Sequence, residues 1–139
     1  MSAVFADTSY WIALLNPRDA LHGKAQRVSS ARGPARVYTT EAVLTELLND
    51  FSSRGDALRN AAAVLAGALL TSPNVVVVPL TSKRFRDALA RYAQRPDKAW
   101  SLTDCASFLV REENQLTEAL THDKHFAQAG FRALLRDPI

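Results

Sequence analysis

A lone cysteine, Cys105, is the only thiol in the 139-residue chain. It leaves no internal disulfide, a pattern that fits a reducing compartment and makes the cytoplasm the expected location. No charged-then-apolar leader opens the sequence, since Asp7 interrupts the first apolar run. No apolar segment is long enough to span a bilayer, so no membrane association is expected. Repeats, low-complexity tracts and interior linkers are missing too, and residues 1–139 are expected to form one domain. There is neither a cysteine cluster nor a helical His-x-x-x-His pair, which removes the usual frames for zinc. What is present is a globular composition, 47% hydrophobic and 22% charged. A net charge of +3 and a pI near 9.4 permit, without requiring, a polyanionic partner such as nucleic acid.

The stretch that organises the rest is residues 4–15. A short apolar run, Val4-Phe5-Ala6, stops at Asp7, and Thr8-Ser9 opens a helical pattern. That reads as a strand, a tight turn with hydroxyl caps, and a first helix. Asn16-Pro17-Arg18-Asp19 breaks the chain, and residues 20–32 form an amphipathic helix stopped by Gly33-Pro34. A second strand covers residues 37–39. Thr40 then caps a helix over 41–53, with Leu44, Leu47, Leu48 and Phe51 as its buried stripe. An Ala/Leu-rich helix follows at 57–70. Val75–Val78, all β-branched, predicts a strand buried on both faces. Residues 82–94 predict a helix with Phe85, Leu89 and Tyr92 facing inward. After a polar loop at 95–101, a helix runs from 102 or 103 to 113. A fourth strand at 118–121, a short helical piece beyond His122 and a fifth, edge strand at 131–135 complete the chain. This alternation predicts a three-layer α/β/α domain around a central, mainly parallel sheet of four or five strands.

In such a sheet, strand ends and the following helix starts share one edge, where ligands bind. Four acids are placed to meet there: Asp7 after the first strand, Glu46 in the helix after the second, Asp104 in the first turn after Ser101, and Asp123 beyond the fourth strand. Packed carboxylates repel, so some must take up protons or gain a cation. Hard oxygen ligands without cysteine suit Mg²⁺ or Mn²⁺. Each acid also has a plainer reading. Asp104 completes Ser101-Leu102-Thr103-Asp104, a capping-box pattern, and Asp7 and Asp123 are each placed to cap a helix. Glu46 points away from the apolar stripe, as a surface acid does, and Glu41 is a rival nearer the strand end. Only the conjunction of all four lifts them above these readings.

Taken together, Val4-Phe5-Ala6-Asp7-Thr8-Ser9, Thr45-Glu46-Leu47-Leu48, Ser101-Leu102-Thr103-Asp104 and Leu120-Thr121-His122-Asp123-Lys124-His125-Phe126 carry a resemblance. The chain resembles the PIN-domain ribonucleases, specifically the small toxins of VapBC toxin–antitoxin pairs, over nearly its full length. The resemblance implies a Mg²⁺- or Mn²⁺-dependent endoribonuclease with Asp7, Glu46, Asp104 and Asp123 as metal ligands and catalytic acids. It also places Glu46, rather than Glu41, in that role, because the family glutamate typically precedes an apolar residue. Thr8 or Ser9, together with Thr103, match supporting hydroxyls. An RNA substrate, a cognate antitoxin and a homodimer are implied as partners, as is the alternative of an RNA-processing nuclease that is not a toxin. The chemistry fits these residues directly, because divalent ions hold a phosphodiester, activate water and neutralise the leaving oxygen without a protein nucleophile.

The remaining features are weaker. His122 and His125 flank Asp123 and read as solvated loop histidines, Cys105 as a small core residue, and Trp11 and Phe108 as core. Arg84, Arg91 and Arg95 share a helical face, with Lys98 and Trp100 in the next loop, which suggests phosphate forks and a base-stacking platform. A solvated face balanced by Asp87 and Asp97 explains them equally well. Other classes fit less closely. An aspartyl phosphatase usually has a second aspartate where Ser9 stands, and a receiver domain has an acidic pair where Ala6 precedes Asp7 and a phosphoacceptor where Pro79-Leu80 stands. A non-catalytic metal- or RNA-binding module would not need all four acids.

Overall fold

A computed structural model describes residues 3–136. Five strands form one sheet in the order β3-β2-β1-β4-β5, and every pairing is parallel. The strands are β1 (Val4–Ala6), β2 (Val37–Thr40), β3 (Val75–Val78), β4 (Glu118–Leu120) and β5 (Arg132–Ala133). The helices are α1 (Thr8–Leu15), α2 (His22–Arg32), α3 (Glu41–Phe51), α4 (Asp56–Thr71), α5 (Ser82–Gln94), α6 (Leu102–Asn114) and α7 (Lys124–Gln128). The expected α/β/α architecture with a parallel sheet is what forms.

From β1 the chain winds outward through β2 to β3, then returns to the other side of β1 for β4 and β5. The order therefore reverses between β1 and β4, and such a switch point opens a crevice at the strands' carboxyl ends. Register fixes what lines it. Phe5 pairs with Ala119 and Ala6 with Leu120, so Asp7 and Thr121 emerge side by side, joined by the Asp7 amide donating to the Leu120 carbonyl at 3.1 Å.

Aromatic rings lock the elements behind this edge. Phe126 of α7 lies 5.1 Å from Phe108 of α6, 5.9 Å from Phe5 of β1 and 5.2 Å from Phe131, ring centre to ring centre. Trp100 stacks edge-on against Phe108 at 4.9 Å. Phe5 is two residues before Asp7, Phe108 one helical turn after Asp104, and Phe126 next to His125. Packing of these rings, all buried, thus sets where the polar ends point.

Several local expectations are corrected. The second helix begins at His22 rather than at residue 20, because Asp19 holds a turn through its side chain on the Leu21 amide (2.9 Å). β3 is an edge strand, and three of its four valines are only half-buried. In α3, Leu44, Leu47 and Phe51 are buried, but Leu48 is 38% exposed, and Ala42 and Val43 take up the inner face. The largest correction is in α5. Phe85, Leu89 and Tyr92 are 43–53% exposed, and the only buried residue of α5 is Ala88. The small alanine meets α6 closely, while Arg84 and Arg91, one turn to either side, lay their stems along the interface and pair with α6 acids.

Candidate active site

Asp7 follows β1, and its side chain makes no cap hydrogen bond to α1, although the Thr8 amide is near enough to lower its pKa. Instead Thr121 donates its hydroxyl to Asp7 Oδ2 at 2.9 Å. Ser9 Oγ lies 3.4 Å from the same oxygen and 3.2 Å from Thr121 Oγ1, and accepts the His122 amide. Burial raises the Asp7 pKa from its ordinary 3.8 to about 7, against the Thr8 amide and Thr121 hydroxyl that lower it, and Asp104 and Asp123 raise it further. The cause is physical: burial withdraws the carboxyl from solvent and disfavours its charged form.

Asp104 does two things at once. The Ser101 hydroxyl accepts the Asp104 amide and the Asp104 carboxylate accepts the Ser101 amide, a complete capping box. The same carboxylate lies 3.1 Å from His125 Nδ1. Burial and the nearby Asp123 push the Asp104 pKa up, while the Ser101 amide and His125 pull it down, with burial the largest influence. The capping reading is thus borne out, and the same Oδ2 that accepts the Ser101 amide also meets His125.

Asp123 caps α7 by accepting the His125 amide at 2.8 Å, and its own amide donates to Thr121 Oγ1 at 2.9 Å. His125 Nδ1 lies 3.3 Å from Asp123 Oδ1. Among the described residues, Asp104, Asp123 and His125 offer ligand atoms that all lie within 4.8 Å of one another. Two carboxylates and an imidazole, beside a third carboxyl whose burial keeps it half-neutral near pH 7, form a donor set that fits a divalent cation.

Other sites fall out differently. Glu46 is exposed on α3 and makes no hydrogen bond or ion pair among the described residues. Glu41, also exposed, is committed elsewhere, because its Oε1 accepts the Leu80 amide at 2.7 Å and ties the loop after β3 to α3. Thr8 is buried, and its hydroxyl makes no hydrogen bond within the described residues; Thr103 is half-buried in the first turn of α6. The basic face is paired: Arg84 with Glu113, Arg91 with Glu112 and Arg95 with Asp97. Arg95 also lies over Trp100, which is buried and donates to Gln128. Trp100 is therefore not an open stacking platform. Lys98 is half-buried near Asp97 and forms no ion pair among the described residues.

Cys105, Trp11 and Phe108 are core, as expected, and His122 is exposed. His125 is not a solvated loop residue. Reading the sequence also left Thr121 without a role, although its single hydroxyl joins Asp7, Ser9 and the Asp123 amide. The signal was there in its position at the end of β4, two residues before an acid.

The family model described as PIN domain matches residues 4–132. The 23S rRNA-specific endonuclease VapC20 of Mycobacterium tuberculosis, in strains CDC 1551 / Oshkosh and ATCC 25618 / H37Rv, is 33% identical over 128 residues, covering 92% of this chain and 95% of the relative. The crystal structure of Mycobacterium tuberculosis VapC20, described as a sarcin–ricin-loop-cleaving toxin, superposes with a TM-score of 0.82 at 32% identity, covering 93% of this chain and 96% of that one. With three acids gathered at the β1–β4 switch point and a match along almost its whole length, the chain belongs to the PIN-domain family, among its VapC-like members.

Proposed function

We propose that this protein is a divalent-metal-dependent endoribonuclease, with Mg²⁺ or Mn²⁺ as its ion, acting as the toxin of a toxin–antitoxin pair in the cytoplasm. The observation that carries the reading is the meeting of Asp7, Asp104 and Asp123 at one sheet edge, each held by hydrogen bonds that orient it before any ligand arrives. Asp104 and Asp123 would hold the ion, with Asp7 alongside. The bound cation would supply Lewis-acid stabilisation of the phosphodiester and a more acidic water. Thr121 and Ser9 keep the Asp7 carboxyl turned toward the crevice. Glu46, exposed on the helix that starts at the same edge, is assigned to orient water or add a ligand, and Thr8 and Thr103 to support the neighbouring acids. Lys98 retains a role in RNA contact, whereas Arg84, Arg91 and Arg95 first hold their own acidic partners.

Relationship to VapC20 supports 23S rRNA as the first substrate to test. It equally supports a cognate antitoxin, and the exposed Phe85, Leu89 and Tyr92 of α5 offer an apolar surface to that partner or to a second copy in a homodimer. No helix among the described residues is long and apolar enough to cross a membrane. Residues 1–139 act as one domain in this reading.

The test compares wild type with Asp104→Asn on ribosomes and on isolated 23S rRNA, with Mg²⁺, Mn²⁺ or EDTA. Discrete cleavage by wild type alone, lost in EDTA, is the expected result. Equal cleavage by both proteins, or cleavage that survives EDTA, would overturn the assignment.

A further inference from the structure

His125 meets the acids of the site through both its backbone and its ring. Its amide serves Asp123, and its side chain makes a second, separate approach to the acids. Nδ1 stands 3.1 Å from Asp104 Oδ2 and 3.3 Å from Asp123 Oδ1. The ring's position is set from outside the site, because the adjoining Phe126 is fully buried among Phe5, Phe108 and Phe131. Adjacent ligands on an octahedral cation with bonds near 2.1 Å lie about 3 Å apart. Both N···O spacings are close to that edge length, and ligand atoms of the three residues all lie within 4.8 Å of one another.

From this spacing, and resting on the metal-dependent reading above, we infer that His125 Nδ1 is itself a metal ligand and makes the site select transition-metal ions over Mg²⁺. Mg²⁺ favours an all-oxygen shell and retains its waters, whereas imidazole nitrogen suits transition ions. A facial set of two carboxylates and one imidazole therefore gains more with Mn²⁺ than with Mg²⁺. Had His125 been only a strut, an amide donor in its place would serve as well.

His125→Asn makes that distinction, since its side-chain amide still donates toward Asp104 but brings no ring nitrogen. The full-length protein is loaded with Mn²⁺ and examined by pulsed electron paramagnetic resonance, and Mg²⁺ competition gives the ratio of affinities. Wild type is expected to show a nitrogen coupling to Mn²⁺ that disappears in His125→Asn. The Mn²⁺ preference over Mg²⁺ falls by at least about tenfold, while the melting temperature stays near that of wild type. Absence of that coupling in Mn²⁺-loaded wild type, or an unchanged preference in the variant, overturns the assignment of His125. Failure of wild type to bind either ion would overturn the metal-dependent reading as well. Mn²⁺ binding abolished by Asp104→Asn but without nitrogen coupling would leave that reading intact and remove only His125.

Discussion

Asp7→Asn should stabilise the metal-free protein while removing its activity. Asp7 is 4% exposed, and its pKa rises from 3.8 to about 7, chiefly through burial. In the folded chain the group therefore keeps a proton that the unfolded chain releases. Its favourable contribution is complete below about pH 4 and is lost as pH climbs through the folded-state pKa of about 7. The two pKa values differ by an amount worth about 4 kcal/mol of stability at pH 8. Asparagine is neutral, nearly isosteric, and still accepts the Thr121 hydroxyl. The advantage of the variant should accordingly be near zero at pH 3.5, intermediate at pH 5, and about 2–4 kcal/mol at pH 8, or roughly 10 °C in melting temperature for a chain of this length. Thermal and urea unfolding in EDTA measure it. Saturating Mn²⁺ should shrink the difference, because the cation neutralises the carboxylate that the variant lacks. A variant no more stable than wild type at pH 8 in EDTA would refute the claim that Asp7 is confined as a desolvated acid.

Three further expectations follow from particular contacts. Thr40 caps α3 through the Val43 amide at 3.0 Å, so Thr40→Ala should cost about 1 kcal/mol in urea unfolding without changing cleavage. Phe126→Ala should cost about 3–5 kcal/mol and, by loosening the residues on either side of it, should also weaken Mn²⁺ binding measured calorimetrically at a temperature where the variant is folded. Arg91 is paired with Glu112 at 2.8 Å on a partly exposed surface; Arg91→Ala should cost less than about 1 kcal/mol and leave the salt dependence of RNA binding unchanged. A shallower salt slope would return Arg91 to the RNA-contacting surface.

Some of this molecule could be read directly along the chain. Asp7 lies at the end of an apolar run, Thr40 one residue before a helical stripe, and Ser101 three residues before Asp104; these are local patterns, and the strand, cap and capping box they specify all form. The four acids could be gathered on paper because parallel strands send all their carboxyl ends to one edge. The misreadings came where a helix chooses its neighbour. Phe85, Leu89 and Tyr92 have the spacing of a buried stripe, yet Glu112 and Glu113 of α6 draw Arg84 and Arg91 inward and turn those rings to solvent.

The sequence by itself determined the strand–helix alternation, the caps and the acids that end strands, since each depends on residues within a turn or two of one another. Tertiary structure alone decided that Thr121 would hold Asp7 across 114 residues and that His125 would face Asp104. Those outcomes depend on strand register and on the wedge of Phe5, Phe108, Phe126 and Phe131 behind the site, and packing between distant segments leaves no periodic trace in the order of residues.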